Sequence, residues 1–365
     1  MRDFLKIIPI PICGLILGLA TCGNVLKTYG LNFFGNSLGL IAGILFVAIL
    51  LKLVLTFRHA HASLQDPIIA SVSPTFTMGT MVLCTYLLQI QAIAPYVKYL
   101  WLLAILIHYY LMTYFTYHFL IKPSVKIDHL YPSWFIVYVG IGVISVTSSN
   151  FFPEIGQLNF WVGLFFYLVL LPFIIHRVFL FKNMAEATLP LITIIAAPGS
   201  LELTGYLKAF FKPNIALVVG LLILSQILYW FIIFHVIKMI RLPFYPSYAA
   251  FTFPLAISAF ASRSAGSFLT AMGYRVIVIE YLAKIETAIA VIMVLYVLAH
   301  YLNFLAKQAR ILYFKHQKQK FKTKSRKSTK IHSNFCKLYD FLYFLGTKNR
   351  TKEAYLEWNF LAKRK

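Results

Sequence analysis

The chain has 365 residues, 60% hydrophobic and only 12% charged, with a mean hydropathy of +0.76. A soluble globular protein of this length carries about a quarter charged residues, so that class is excluded, and disorder is excluded with it. The 34 Lys and Arg against 11 Asp and Glu give a net charge of +23. That excess is uneven: residues 307–365 hold 17 of the bases and three acids, which leaves a body of 306 residues at +9.

A membrane-spanning helix needs roughly 20 mostly apolar residues, and ten runs of that kind follow one another. They lie near 7–26, 36–56, 74–94, 99–121, 133–151, 158–180, 187–209, 214–239, 247–268 and 276–304. The first follows Arg2 and Lys6 as a signal peptide would. However, Pro9, Pro11, Asn24 and Lys27 give no compact apolar stretch with a small-residue cleavage site, so it is read as a span. An even count puts both termini on one side. With that side cytoplasmic, the inner segments carry ten Lys and Arg before the tail is counted and the outer ones six, as the positive-inside rule requires.

Along these runs, prolines recur at the odd-numbered starts: Pro11, Pro74, Pro132, Pro190 and Pro246. Their spacings of 63, 58, 58 and 56 residues are near constant. Proline at a first turn costs no hydrogen bond and so marks helix starts, but a constant period also suggests five copies of a helical hairpin. The odd runs hold most of the other breakers as well, namely Gly14, Gly18, Gly79, Gly140, Gly142, Pro198, Gly199 and Pro254. Broken helices at membrane depth are tolerated where they line a cavity. The expected fold is therefore an all-α integral membrane protein, with ten transmembrane helices as five hairpins around a pseudo-five-fold central pore.

Several residues within the runs are chemically notable. Thr77, Thr80, Ser145 and Thr147 offer hydroxyls to an anion or to their own helices. Glu202 and Arg263 fall in the outer part of the seventh and ninth runs; a pair between them is favoured over Arg263 attracting anions, because a lone charge there is costly. Glu280 and Lys284 stand at i, i+4, the spacing of a local ion pair, and Glu286 remains as a mid-depth carboxyl, packed or proton-coupling. His108 and His118 are ten apart, not at ligand spacing, and no metal site is expected. Cys13, Cys22, Cys84 and Cys336 form no CxxC and no disulfide framework. Walker A, HExxH, GxSxG and Rossmann glycine patterns are missing from the sequence, so neither a nucleotide cofactor nor the commonest hydrolytic chemistry is expected.

Beyond residue 306 the run KHQKQKFKTKSRKSTK (315–330) reads as a solvated cytoplasmic segment suited to anionic lipid headgroups, and 335–346 as a short interfacial helix. Nucleic acid is not an expected partner.

Four segments, IPIPICGLILGLA (8–20), YPSWFIVYVGIGVIS (131–145), IIAAPGSLELTGYL (194–207) and YPSYAAFTFPLAISAFA (245–261), resemble in order and spacing the tellurite-resistance/dicarboxylate transporter family, which includes the plant slow anion channels. The resemblance covers nearly all of residues 1–306. It implies an inner ring of odd helices, a trimer, and passage of small anions across the plasma membrane without ATP: C4-dicarboxylates, sulfite, tellurite-related oxyanions, nitrate or chloride. It also implies that Phe253 plugs the pore; the breakers Gly14, Gly18, Gly140, Pro198 and Pro254 and the hydroxyl of Thr80 are the residues expected to line it. The competing readings are a membrane-embedded transferase-type enzyme, against which the acids of the body are scattered singly, and a receptor or scaffold acting through its basic tail.

Overall fold

In the computed structural model, residues 2–122 and 130–325 are described. The interfacial helix expected at 335–346 and most of the basic tail lie outside them. The chain divides into two compact units, Met1–Leu302 and Asn303–Lys365. The described residues fold mainly as helices joined by short turns, with no strand among them.

Among the described residues seven helices are long and apolar enough to cross a membrane: Asn32–Leu55, Pro67–Leu87, Ala94–Ile121, Pro153–Phe181, Glu186–Ala209, Ile215–Met239 and Ile277–Gln317. The other three expected runs fold as shorter pieces. The first is the 16-residue helix Ile12–Lys27, entered through Pro9 and Pro11. The fifth is two short helices, Trp134–Tyr138 and Gly142–Thr147, broken at Gly140. The ninth is a 3₁₀ turn, Pro246–Phe251, followed after Thr252 by Phe253–Ala271. Breaks also interrupt two of the long ones, at Pro74 between Pro67–Val72 and Thr75–Leu87, and where the 3₁₀ segment Glu186–Ala196 passes into Ala197–Ala209. Proline lacks an N–H and clashes with the preceding turn, which is why the helix yields at these positions.

The broken segments are the buried ones. Pro67–Leu87 and Glu186–Ala209 are 78% and 89% buried over their apolar windows, whereas Asn32–Leu55, Ala94–Ile121 and Pro153–Phe181 are 28% buried and Ile277–Gln317 is 22%. The buried pieces also pack in cyclic order. Ile12–Lys27 touches Thr75–Leu87, which touches Gly142–Thr147, then Ala197–Ala209, then Phe253–Ala271, which closes back on Ile12–Lys27. Unbroken, outward-facing helices lie against this ring, their Leu, Ile and Phe side chains exposed as suits contact with lipid.

Hydroxyls of one segment bond backbone carbonyls of its neighbours. Thr252 Oγ1 donates to the Gly14 carbonyl at 2.9 Å, Ser258 Oγ to the Ala196 carbonyl at 3.3 Å, and Ser145 Oγ to the Gly156 carbonyl at 2.7 Å. At the N-terminal end the buried Lys52 does the same with its ammonium, donating to the carbonyls of Lys6 at 3.1 Å and Ile8 at 2.6 Å. It thereby ties the short helix Arg2–Ile7 to the bundle. Lys52→Met should lower thermal stability in detergent by about 1–3 kcal/mol, the cost of leaving such acceptors unpaired, and should speed tryptic cleavage at Arg2 and Lys6. Unchanged melting and cleavage would refute this anchor.

Candidate pore

Two cavities open inside the ring. The first, of about 370 Å³, lies at the end where the chain starts and is walled by Pro11, Gly14, Gly140, Pro198 and Pro254 among others. The second, of about 260 Å³, lies toward the opposite helix ends, with Thr21, Asn24, Lys27, Thr147, Lys208 and Phe260 in its wall. Two side chains line both: Phe253 and Leu201. Phe253 is 7% exposed and Leu201 2%, so the boundary between the cavities is apolar.

Local sequence explains how Phe253 is held there. Thr252 interrupts the helix and is clamped by Oγ1, which donates to Gly14 at 2.9 Å and to Ala249 at 2.6 Å. Pro254 then sits in the first turn of Phe253–Ala271, where its missing N–H is harmless. Gly18 makes the close approach possible: a Cβ there would collide with the Thr252 side chain and come within 2.9 Å of the Phe253 nitrogen.

Of the expected lining residues, Gly14, Gly140, Pro198 and Pro254 do face the first cavity. Gly18 and Thr80 line neither cavity. Gly18 is consumed by the contact with Thr252, and Thr80 turns its hydroxyl to the Phe76 carbonyl at 2.8 Å. Thr77 bonds the buried His108 at 2.8 Å, Ser145 bonds Gly156 as above, and Thr147, though it lines the second cavity, accepts from the Trp101 indole at 2.8 Å.

The expected charge pairs do not form. Among the described residues the one ion pair within 4.0 Å joins Lys6 and Asp3, at 3.6 Å. Glu202 follows Leu201, and a step of one residue turns the side chain by about 100° around a helix. It therefore points away from the cavities, its carboxyl buried against Gly142 and Gly163 with no hydrogen-bond partner on either oxygen. Arg263 stacks on the Tyr29 ring at 4.7 Å and reaches the Thr28 carbonyl at 3.4 Å. Lys284 lies over Tyr281 at 5.5 Å and is exposed, as is Glu280. Glu286 lines neither of the two cavities. It accepts from Ser262 at 2.7 Å, a buried bond continued toward the half-buried Gln226, which donates to Ser262 at 2.9 Å, and Trp230, which donates to Gln226 at 3.1 Å.

Charges at the first cavity are engaged locally: Lys6 with Asp3, Lys52 with two carbonyls, Asp66 with the amides of Ile68 and Ile69. The second cavity differs. Lys27 and Lys208 line it, and among its described lining residues there is no carboxylate. Sequence reading missed Leu201, Lys27 and Lys208 as site residues. The two lysines stand at the ends of odd-numbered runs, and that position is the available signal. Among the described residues no cluster of three or more His, Cys, Asp or Glu could hold a metal.

A profile described as voltage-dependent anion channel matches residues 8–302. The chain belongs to this family. It is the group already indicated by the four segments, and its members are channels or transporters, not enzymes. Two proteins of Methanocaldococcus jannaschii named as uncharacterized transporters are also similar. One is 25% identical over 222 residues, 55% of this chain and 65% of its own length, and the other 24% identical over 227 residues, 56% and 65%. The matched segment thus spans slightly less than two thirds of each of these relatives. The family member described here is a multi-pass membrane protein.

Proposed function

We propose that this member of the family is a passive channel or secondary transporter for small anions, with a pore that runs through the two cavities and is closed by Phe253. The observation that carries the reading is that the two cavities, on opposite sides of one apolar boundary, share among the described residues only Phe253 and Leu201. An apolar constriction stops ions by excluding water. In this reading the chain crosses the membrane ten times as five hairpins, with the ring of broken helices inside and the unbroken ones facing lipid. The alternation of 78–89% against 22–39% burial supports it. The excess of Lys and Arg on the side of the termini supports cytoplasmic N- and C-termini. The family resemblance supports a homotrimer in the plasma membrane, and the basic tail suits anionic headgroups.

Candidate cargoes are those of the family: C4-dicarboxylates, sulfite, tellurite-related oxyanions, nitrate and chloride. Reconstitution in liposomes with gradients of chloride, nitrate, sulfite and malate tests the reading. At least one of these should move through Phe253→Ala faster than through the wild-type protein, and no flux of any of them in either protein would refute it.

A further inference from the structure

The wall of the second cavity carries two lysines and, among its described residues, no carboxylate. Lys27 reaches it from the last turn of Ile12–Lys27, its ammonium 3.7 Å from the centre of the Tyr86 ring. The Nζ atom is buried and has no hydrogen-bond acceptor. A ring face attracts a cation, but it leaves the three ammonium donors without an acceptor, and a buried charge so placed is costly unless something compensates it. Tyr86 is not free to turn toward it, because its hydroxyl donates to the Ala20 carbonyl at 2.7 Å.

Thr21, 2% exposed, lies on the same helix. Its hydroxyl oxygen has no partner, and the residue lines the same cavity. Lys208 enters from the end of Ala197–Ala209, its ammonium 5.5 Å from the Phe260 ring. Lys208 and Phe260 also border an adjoining cavity of about 220 Å³, whose wall includes Arg263 and, among its described residues, no carboxylate. Three cations therefore border these two spaces, with no acid among the described residues that line either.

We propose that Lys27, Thr21 and Lys208 form a resident site for a small inorganic anion beside Phe253, fed through the adjoining cavity past Arg263. The proposal rests on the channel reading for its purpose: an anion held against the closed boundary is the next to cross when Phe253 moves. At about 260 Å³ the space takes a halide or a small oxyanion together with several waters. The site thus recognises charge more than shape, and should accept chloride and nitrate alike.

The test is chloride binding to the full chain in detergent, read as broadening of the chloride NMR line and competed by nitrate. Wild-type protein should broaden the line, and nitrate should reverse it. Lys27→Gln should weaken binding at least about tenfold, since it removes one of the two charges in the cavity wall, and Lys27→Arg should retain it. Equal binding by wild type and Lys27→Gln would overturn the site. Should Lys27→Gln fail to fold, Lys208→Gln, at an exposed position, should weaken binding about two- to threefold, and an unchanged affinity there overturns the site equally. Failure of this proposal is separable from failure of the channel reading. Flux through Phe253→Ala without Lys27-dependent binding removes the site and leaves the channel, whereas Lys27-dependent binding without flux does the reverse.

Discussion

Phe253→Ala should raise anion flux at least about tenfold, which requires only about 1.4 kcal/mol off the barrier to crossing. The side chain is one of two that separate the cavities, so its removal joins them and lets water bridge the boundary. A buried phenylalanine usually costs about 3–5 kcal/mol to truncate, because packed neighbours are left facing a void. Here open space already lies on both sides of the ring, so the loss should fall at or below the low end of that range, and folded protein should be recovered. Leu201→Ala should open the same boundary from the opposite wall, with a smaller gain because less volume is removed. Flux in liposomes, normalised to reconstituted protein, checks both. Equal rates for wild type and Phe253→Ala would reject Phe253 as the barrier.

Gly18→Ala should be among the most damaging single-methyl additions to the body of the protein. The new Cβ would overlap the Thr252 side chain and lie 2.9 Å from the Phe253 nitrogen. Thr252 cannot yield without breaking its bonds to Gly14 and Ala249. Overpacking of a tight interface costs about 1–3 kcal/mol, and a displaced buried hydrogen bond adds about 1 kcal/mol. Pairing the change with Thr252→Gly removes the colliding atoms, so the double variant should be more stable than the sum of the two single changes allows. Thermal unfolding of the four proteins in detergent measures this. Strict additivity would mean that Gly18 and Thr252 are not the contact that sets the position of Phe253.

Much of the inner ring was legible because it depends on local chemistry. The prolines at near-constant spacing and the glycines of the odd runs mark the segments that are buried and broken, and the uninterrupted Leu, Ile and Phe of the even runs mark those that are exposed. The same residues explain why three expected spans are not single long helices: Pro9 and Pro11, Gly140, and the Thr252–Pro254 step each end a helix within the run. What a side chain faces was less legible. Glu202 and Arg263 lie at similar depth in the chain's own numbering, yet Glu202 turns to Gly142 and Gly163, and Arg263 to Tyr29. Lys27 and Lys208, at the ends of odd-numbered runs, line a cavity.

By itself the sequence determined that this protein is an all-helical membrane protein of the anion-channel family, which segments are interrupted, and which residue stands between Thr252 and Pro254. Hydropathy, proline and glycine act within a few residues of where they stand, so their effects survive being read in one dimension. Only the tertiary structure decided that Leu201 shares the apolar boundary with Phe253, that Gly18 serves Thr252, and that Lys27, its ammonium over the Tyr86 ring, lines the second cavity. Each of those depends on the rotation of one helix about its axis relative to a neighbour dozens or hundreds of residues away, and that angle is fixed by packing between segments.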